Sequence, residues 1–197
     1  MNIGIIGAGA IGTAIARALA RNGIKARIAN SRGAAGLDVL AAELPGITPA
    51  SVQDASRSDI VFIAVPWSKI PGAVKDLGPW DGRIVVDTNN PIEAPTFRPF
   101  DLGGRASSAV VADLVPGARV VKAFNHLRPS LLAGVPNAEG GRRVMFVSGV
   151  DAAANAEVAK LIDRLGFHAL TLGGVEAGRL HQFPGGPLPT LNLVKFE

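Results

Sequence analysis

Apolar positions along the chain fall into short runs of branched aliphatic residues separated by stretches with helical spacing. Residues 2–6 (NIGII), 60–65 (IVFIAV), 83–87 (RIVVD) and 119–123 (RVVKA) are dominated by such side chains, as in strands covered on both faces of a parallel sheet. Residues 25–29 (KARIA) alternate and predict a second strand ending at Asn30, with a further short strand near Ile47. Helical spacing marks 10–21, 36–44 and 107–114, and a helix of about ten residues from Trp67 to Leu77; Pro45-Gly46 and Pro116-Gly117 act as stops, and 51–57 is a short helical or turn segment. This alternation predicts an α/β fold, a doubly wound parallel sheet, over residues 1–126.

From about residue 127 the pattern loosens. A short helix over 128–135, a strand over 142–150, a helix over 152–165 with Asp151 as its cap, and a last strand over 167–172 are expected. A short helix over 175–183 then leads into Pro184-Gly185-Gly186-Pro187, which must be irregular. Residues 127–197 therefore read as a small C-terminal α/β extension packed on the first unit, and 97–104 as an ordered surface loop.

Candidate chemistry concentrates where the first strand meets the first helix. GAGAIG places Gly7, Gly9 and Gly12 at the dinucleotide spacing, with Ala10 and Ile11 opening the helix, in the strand-turn-helix context of a Rossmann fingerprint. Gly7 permits the turn, Gly9 lets the backbone approach a pyrophosphate, and Gly12 lets helix and strand pack closely. The second strand ends in Asn30-Ser31-Arg32, with no acidic residue to bind ribose hydroxyls. An arginine fork and a hydroxyl suit a 2′-phosphate, which a carboxylate would repel, so NADP is expected rather than NAD.

Ligands of an open parallel sheet lie beyond the carboxyl ends of its strands. Val65, Pro66 and Trp67 are thus expected at the cofactor rim, where Trp67 either shields the cofactor or packs on its own helix. In Thr88-Asn89-Asn90-Pro91 the polar side chains either stabilise a turn or touch the nicotinamide ribose. Asn125 and His126 close the next strand; His126 is the candidate catalytic group, as a polarising or proton-bearing imidazole, or else a structural histidine.

Composition removes other classes. The 197 residues contain no cysteine, which excludes disulfides and thiolate chemistry. No GxSxG or HExxH occurs, and the three histidines lie too far apart to suggest a metal site. A net charge of +4 is spread without a basic stripe, so no nucleic-acid partner is expected. The longest apolar run is about eight residues against roughly 20 for a span, and no basic n-region precedes the first strand. A soluble, cytoplasmic protein is expected. About 75 residues follow the 119–123 strand, fewer than the ~100 common for a separate substrate domain, so the second reactant should lie on the Rossmann unit under a short cap.

GAGAIG, NSR (30–32), AVPW (64–67), DTNNP (87–91), KAFNH (122–126) and a late GGPLP (185–189) resemble, in this order, the NADP oxidoreductases dependent on coenzyme F-420, a deazaflavin. The resemblance covers almost the whole chain. It implies that Ser31 and Arg32 hold the 2′-phosphate, that Val65 and Pro66 lie along the cofactor, and that the deazaflavin stacks near His126 and the C-terminal loop. The implied function is hydride transfer between NADP(H) and bound coenzyme F-420 or a flavin. The alternatives are an FMN, FAD or ferric reductase and a non-catalytic NADP(H)-binding or sensing module. Small-molecule cofactors are the expected partners, with a homodimer possible.

Overall fold

Only aliphatic side chains and one glycine make up β1 (Ile3–Ile6), and all four residues are buried. In the computed structural model, which describes residues 1–93 and 95–196, this strand lies inside the main sheet. It leads into α1 (Ala10–Arg21), whose Ala14, Ile15, Ala18 and Leu19 form one buried face. Next come β2 (Ala26–Ala29), α2 (Asp38–Glu43), β3 (Ile47–Pro49), α3 (Val52–Ser56) and β4 (Ile60–Ile63). A 3-10 turn, Trp67–Lys69, precedes α4 (Ile70–Val74), and β5 (Ile84–Asp87) follows.

The sheet runs β3-β2-β1-β4-β5 in space, all parallel, and then passes to β8 (Arg119–Ala123). Between β5 and β8 lie β6 (Ile92–Glu93), β7 (Arg98–Pro99) and α5 (Ser107–Leu114). The strand order reverses between β1 and β4, which puts GAGAIG and Val65-Pro66 on the two sides of one crevice. Alternation along the strands feeds two cores. Ile3, Ile5 and Phe62 point to the α1 side, whereas Ile6, Val61 and Ile63 point to the side of α4 and α5. Phe62 meets Phe124 edge to face at 5.1 Å in the first of these cores.

The remaining elements are α6 (Pro129–Ala133), β9 (Asn137–Ala138), β10 (Gly141–Gly149), α7 (Ala152–Arg164), β11 (His168–Gly173) and β12 (Val194–Lys195). As expected, Asp151 caps α7, accepting from the Ala154 amide at 2.7 Å. β10 continues the sheet beside β8 but runs antiparallel to it, and β11 is parallel to β10. In this register Val147 pairs with Ala123, the last residue of β8, so residues 141–146 extend past the carboxyl end of β8 as a wall on that side of the sheet. β9 and β12 pair with the start of that wall.

Two expectations change. The 67–77 segment is not one helix, because Pro71 lacks an amide donor and helical pairing restarts around it. The 97–104 loop contains β7, paired antiparallel with β6. The parallel sheet expected over residues 1–126 stands, and β10 of the C-terminal extension adds to it antiparallel, beside β8. No helix among the described residues is long and apolar enough to cross a membrane.

Candidate cofactor cleft

The three glycines of the first turn are held for different reasons. Gly7 has φ +111°, and a Cβ there would collide with the Ala64 carbonyl. At Gly12 a Cβ would collide with the carbonyl of Gly7, so the close approach of α1 to its own turn requires a bare backbone. Gly9 is different: it is extended, exposed, and a Cβ on it would meet nothing within 4 Å. No protein atom demands a glycine at this position. Beside it, α1 starts without a capping side chain and without an acidic residue in its first turn. The amides of Ala10, Ile11 and Gly12 lie in that first turn, where an α-helix offers no carbonyl partner. This bare, positively polarised helix end fits a pyrophosphate.

At the end of β2, Asn30 Oδ1 accepts from the Arg32 amide at 2.7 Å, an Asx turn that leaves Ser31 and Arg32 exposed. Asn30 thus shapes the loop, while its Nδ2 is buried without a partner. Across the crevice Pro66 is exposed and Val65 half-buried. Trp67 is half-buried against the core containing Ile70 and Val74, so much of its ring serves packing.

The ends of β5 and β8 carry a buried polar network. Asp87 and Lys122 are both fully buried and paired at 3.1 Å, and Lys122 Nζ also donates to the Asn89 carbonyl at 2.8 Å. Asn89 Nδ2 donates to the Ile63 carbonyl at 2.9 Å and to Asp87 Oδ1 at 3.1 Å, and Thr88 Oγ1 to the same carbonyl at 2.8 Å. The Asn89 side chain is therefore turned inward, leaving backbone to line this part of the cleft. Asn125 is also committed internally: its Nδ2 donates to Asn90 Oδ1 at 3.0 Å and to the His181 carbonyl at 2.5 Å.

His126 is 3% exposed. Its Nε2 donates to the Val144 carbonyl in the wall at 3.1 Å, and its ring lies 4.6 Å from that of Phe146. Burial pushes its pKa down to about 4, against the opposing pull of the Val144 bond. With Nε2 committed to the wall and Nδ1 buried without a partner, the geometry favours the structural-histidine alternative for His126 over a catalytic one.

Sequence reasoning gave Lys122, Ser148 and His181 no place in the site, and took Asn90 only as one of the polar side chains of the 88–91 turn. The readable signal was a lysine inside a strand run, RVVKA, which must find a buried partner. Over these groups runs the C-terminal arm, residues 182–193. Gln182 Oε1 accepts from the Ser107 amide at 2.8 Å, Phe183 N donates to Asn90 Oδ1 at 2.9 Å, and Thr190 N to the His126 carbonyl at 2.9 Å. Its far end joins the wall through the Val144 amide, which donates to Leu193 O at 2.9 Å.

Residues 2–91 match the family described as NADP oxidoreductase, coenzyme F420-dependent. The chain is similar to the crystal structure of a hypothetical protein from Sinorhizobium meliloti, 46% identical, covering 99% of this chain and 96% of that one with a TM-score of 0.94. A protein from Arthrobacter, provisionally assigned as an F420-dependent NADP-reductase, is 28% identical over 91% of this chain and 87% of its own, with a TM-score of 0.73. Glycerol-3-phosphate dehydrogenase [NAD(P)+] of Azotobacter vinelandii is 29% identical over 136 residues. That match covers 60% of this chain and 37% of the dehydrogenase, so the chain spans little more than a third of this curated relative.

Proposed function

We propose that this chain, whose residues 2–91 belong to the family of coenzyme F420-dependent NADP oxidoreductases, binds NADP(H) in the crevice and supports hydride transfer between its nicotinamide and a flat conjugated ring, coenzyme F420 or a flavin. The observation that carries the reading is Gly9: a bare backbone facing open space, beside an uncapped helix end, where the protein's own packing does not require a glycine. NADPH supplies the hydride. Gly7 and Gly12 set the turn, Gly9 and the first turn of α1 take the pyrophosphate, and Ser31 with Arg32 takes the 2′-phosphate. Val65, Pro66 and the exposed part of Trp67 line the cofactor, and the backbone of the Asn89 and Asn125 loops supports its nicotinamide end.

Asp87, Lys122, His126 and His181 are buried and hydrogen-bonded within the protein, so this end of the cleft positions rings rather than moving protons. Hydride transfer onto a conjugated acceptor requires chiefly that positioning. The same internal pairing favours a second reading, a non-catalytic NADP(H)-binding module. Mixing the purified protein with NADPH and coenzyme F420, FMN or FAD, and following nicotinamide absorbance, separates them. Oxidation with the deazaflavin supports the first reading, and oxidation with FMN or FAD alone makes the chain a flavin reductase. Tight binding without oxidation makes it a binding module, and absence of NADPH binding overturns both readings.

A further inference from the structure

The hydrogen-bond directions around His181 are fixed by backbone groups. Asn90 Nδ2 donates to the Asn125 carbonyl at 2.8 Å, and Asn90 Oδ1 accepts from the Phe183 amide at 2.9 Å, so the orientation of the Asn90 amide is determined. Asn125 must then present Nδ2 to Asn90 Oδ1 and to the His181 carbonyl, which leaves its Oδ1 as an acceptor. His181 Nδ1, 2.9 Å from that oxygen, must carry the proton. Its Nε2 is therefore bare and accepts from the Ser148 hydroxyl at 2.9 Å.

His181 is fully buried and joins three segments of different origin: the 175–181 turn, the loop just after β8 and the last residues of β10, at Ser148. Gly178 lets the turn sit down on the network, since a Cβ there would lie 3.1 Å from Ser148 Oγ and 3.3 Å from Lys122 Cδ. Two residues after His181 the arm places Phe183 beside Asn90, with its side chain 37% exposed.

We propose that His181 is a positioning residue for the hydride acceptor: as the Nδ1–H tautomer it locks the C-terminal arm to the two nicotinamide-side loops and so sets Phe183 as an apolar wall for the acceptor ring. This rests on the hydride-transfer reading above. The lock is spent entirely on protein partners, so it should leave NADPH affinity alone and act on the second reactant.

Two amides dissect the imidazole. His181→Asn can keep a donor at the Nδ1 position toward Asn125, whereas His181→Gln keeps only the reach toward Ser148. The expected result is that His181→Gln raises the acceptor KM on the order of tenfold with the NADPH Kd within about twofold, and that His181→Asn stays within about threefold on both. Amide hydrogen exchange at Phe183 should speed up in His181→Gln and not in His181→Asn, with β1 and α1 unchanged in either. Equal effects of the two variants, or lowered thermal stability with an unchanged acceptor KM, would make the histidine merely structural and overturn the proposal. Phe183→Ala, a change at an exposed side chain, should raise acceptor KM by about tenfold as well, and an unchanged KM also overturns it. A wild-type protein that binds NADPH but oxidises it with no acceptor removes the hydride-transfer reading and the positioning role with it, while the exchange pattern alone decides whether the lock exists.

Discussion

Gly9 and Gly12 are equivalent letters in a motif and different objects in the fold. A methyl at residue 12 strikes a backbone carbonyl that cannot move away, whereas a methyl at residue 9 strikes nothing in the protein. Gly12→Ala should therefore lose about 1–3 kcal/mol of folding stability in denaturant melts. Gly9→Val should melt close to the wild type and bind NADPH at least tenfold more weakly by calorimetry; a Gly9→Val protein with unimpaired NADPH binding would remove the pyrophosphate assignment. Arg32→Ala should weaken NADPH on the order of tenfold to a hundredfold through the lost charge-assisted bonds, with NADH almost unaffected. Loss of both cofactors alike would show that Arg32 does not read the 2′-phosphate. The glycines were legible because their constraint is local. His181 was not, because its partners lie 56 and 33 residues away in sequence and only the folded sheet brings them together.

Elements followed the same rule of locality. Strands β1, β4, β5 and β8 announce themselves because burial on both faces leaves an aliphatic run, and α7 because Asp151 precedes its periodic stretch. Asp151→Ala should cost about 1 kcal/mol and lower the melting temperature without touching cofactor binding. The two-residue strands β6, β7, β9 and β12 had no period to read, since pairing partners and not composition create them. The direction of β10 was equally hidden: a buried strand has the same sequence whether it runs up or down. Its overshoot past β8 nevertheless decides the site, because it supplies the carbonyl that holds His126 and the amide that holds the arm.

At the scale of the whole molecule, the buried Lys122–Asp87 pair joins two central strands, and its halves are not separately dispensable. Lys122→Ala should destabilise by about 3–5 kcal/mol, because it strands the Asp87 carboxylate, whereas the double change Lys122→Met with Asp87→Asn should cost less. Denaturant titration of the three proteins checks the order. Acid acts through the histidines. Burial holds His181 down to about 3, with Lys122 and His126 as the charges facing it, and His126 down to about 4. The unfolded chain therefore takes up protons that the folded one refuses, so their contribution is complete above about pH 6.5 and is lost as pH falls toward 4 and then 3. Melting temperature should decline over that window, and His181→Asn should flatten the decline; a profile identical to wild type would refute the assignment.

The wall raised by β10 also determines how the cleft can open. Backbone hydrogen bonds run laterally from β1 through β4, β5 and β8 into β10 and on to β12, so the cofactor floor and the wall at its side belong to one continuous lattice. A clamshell enzyme has a hinge between floor and lid, and this sheet provides no such joint there. On the hydride-transfer reading proposed above, passage of the acceptor ring falls to the short arm that rests on Asn90 and His126, and turnover should be insensitive to the large-scale motions that limit two-domain dehydrogenases.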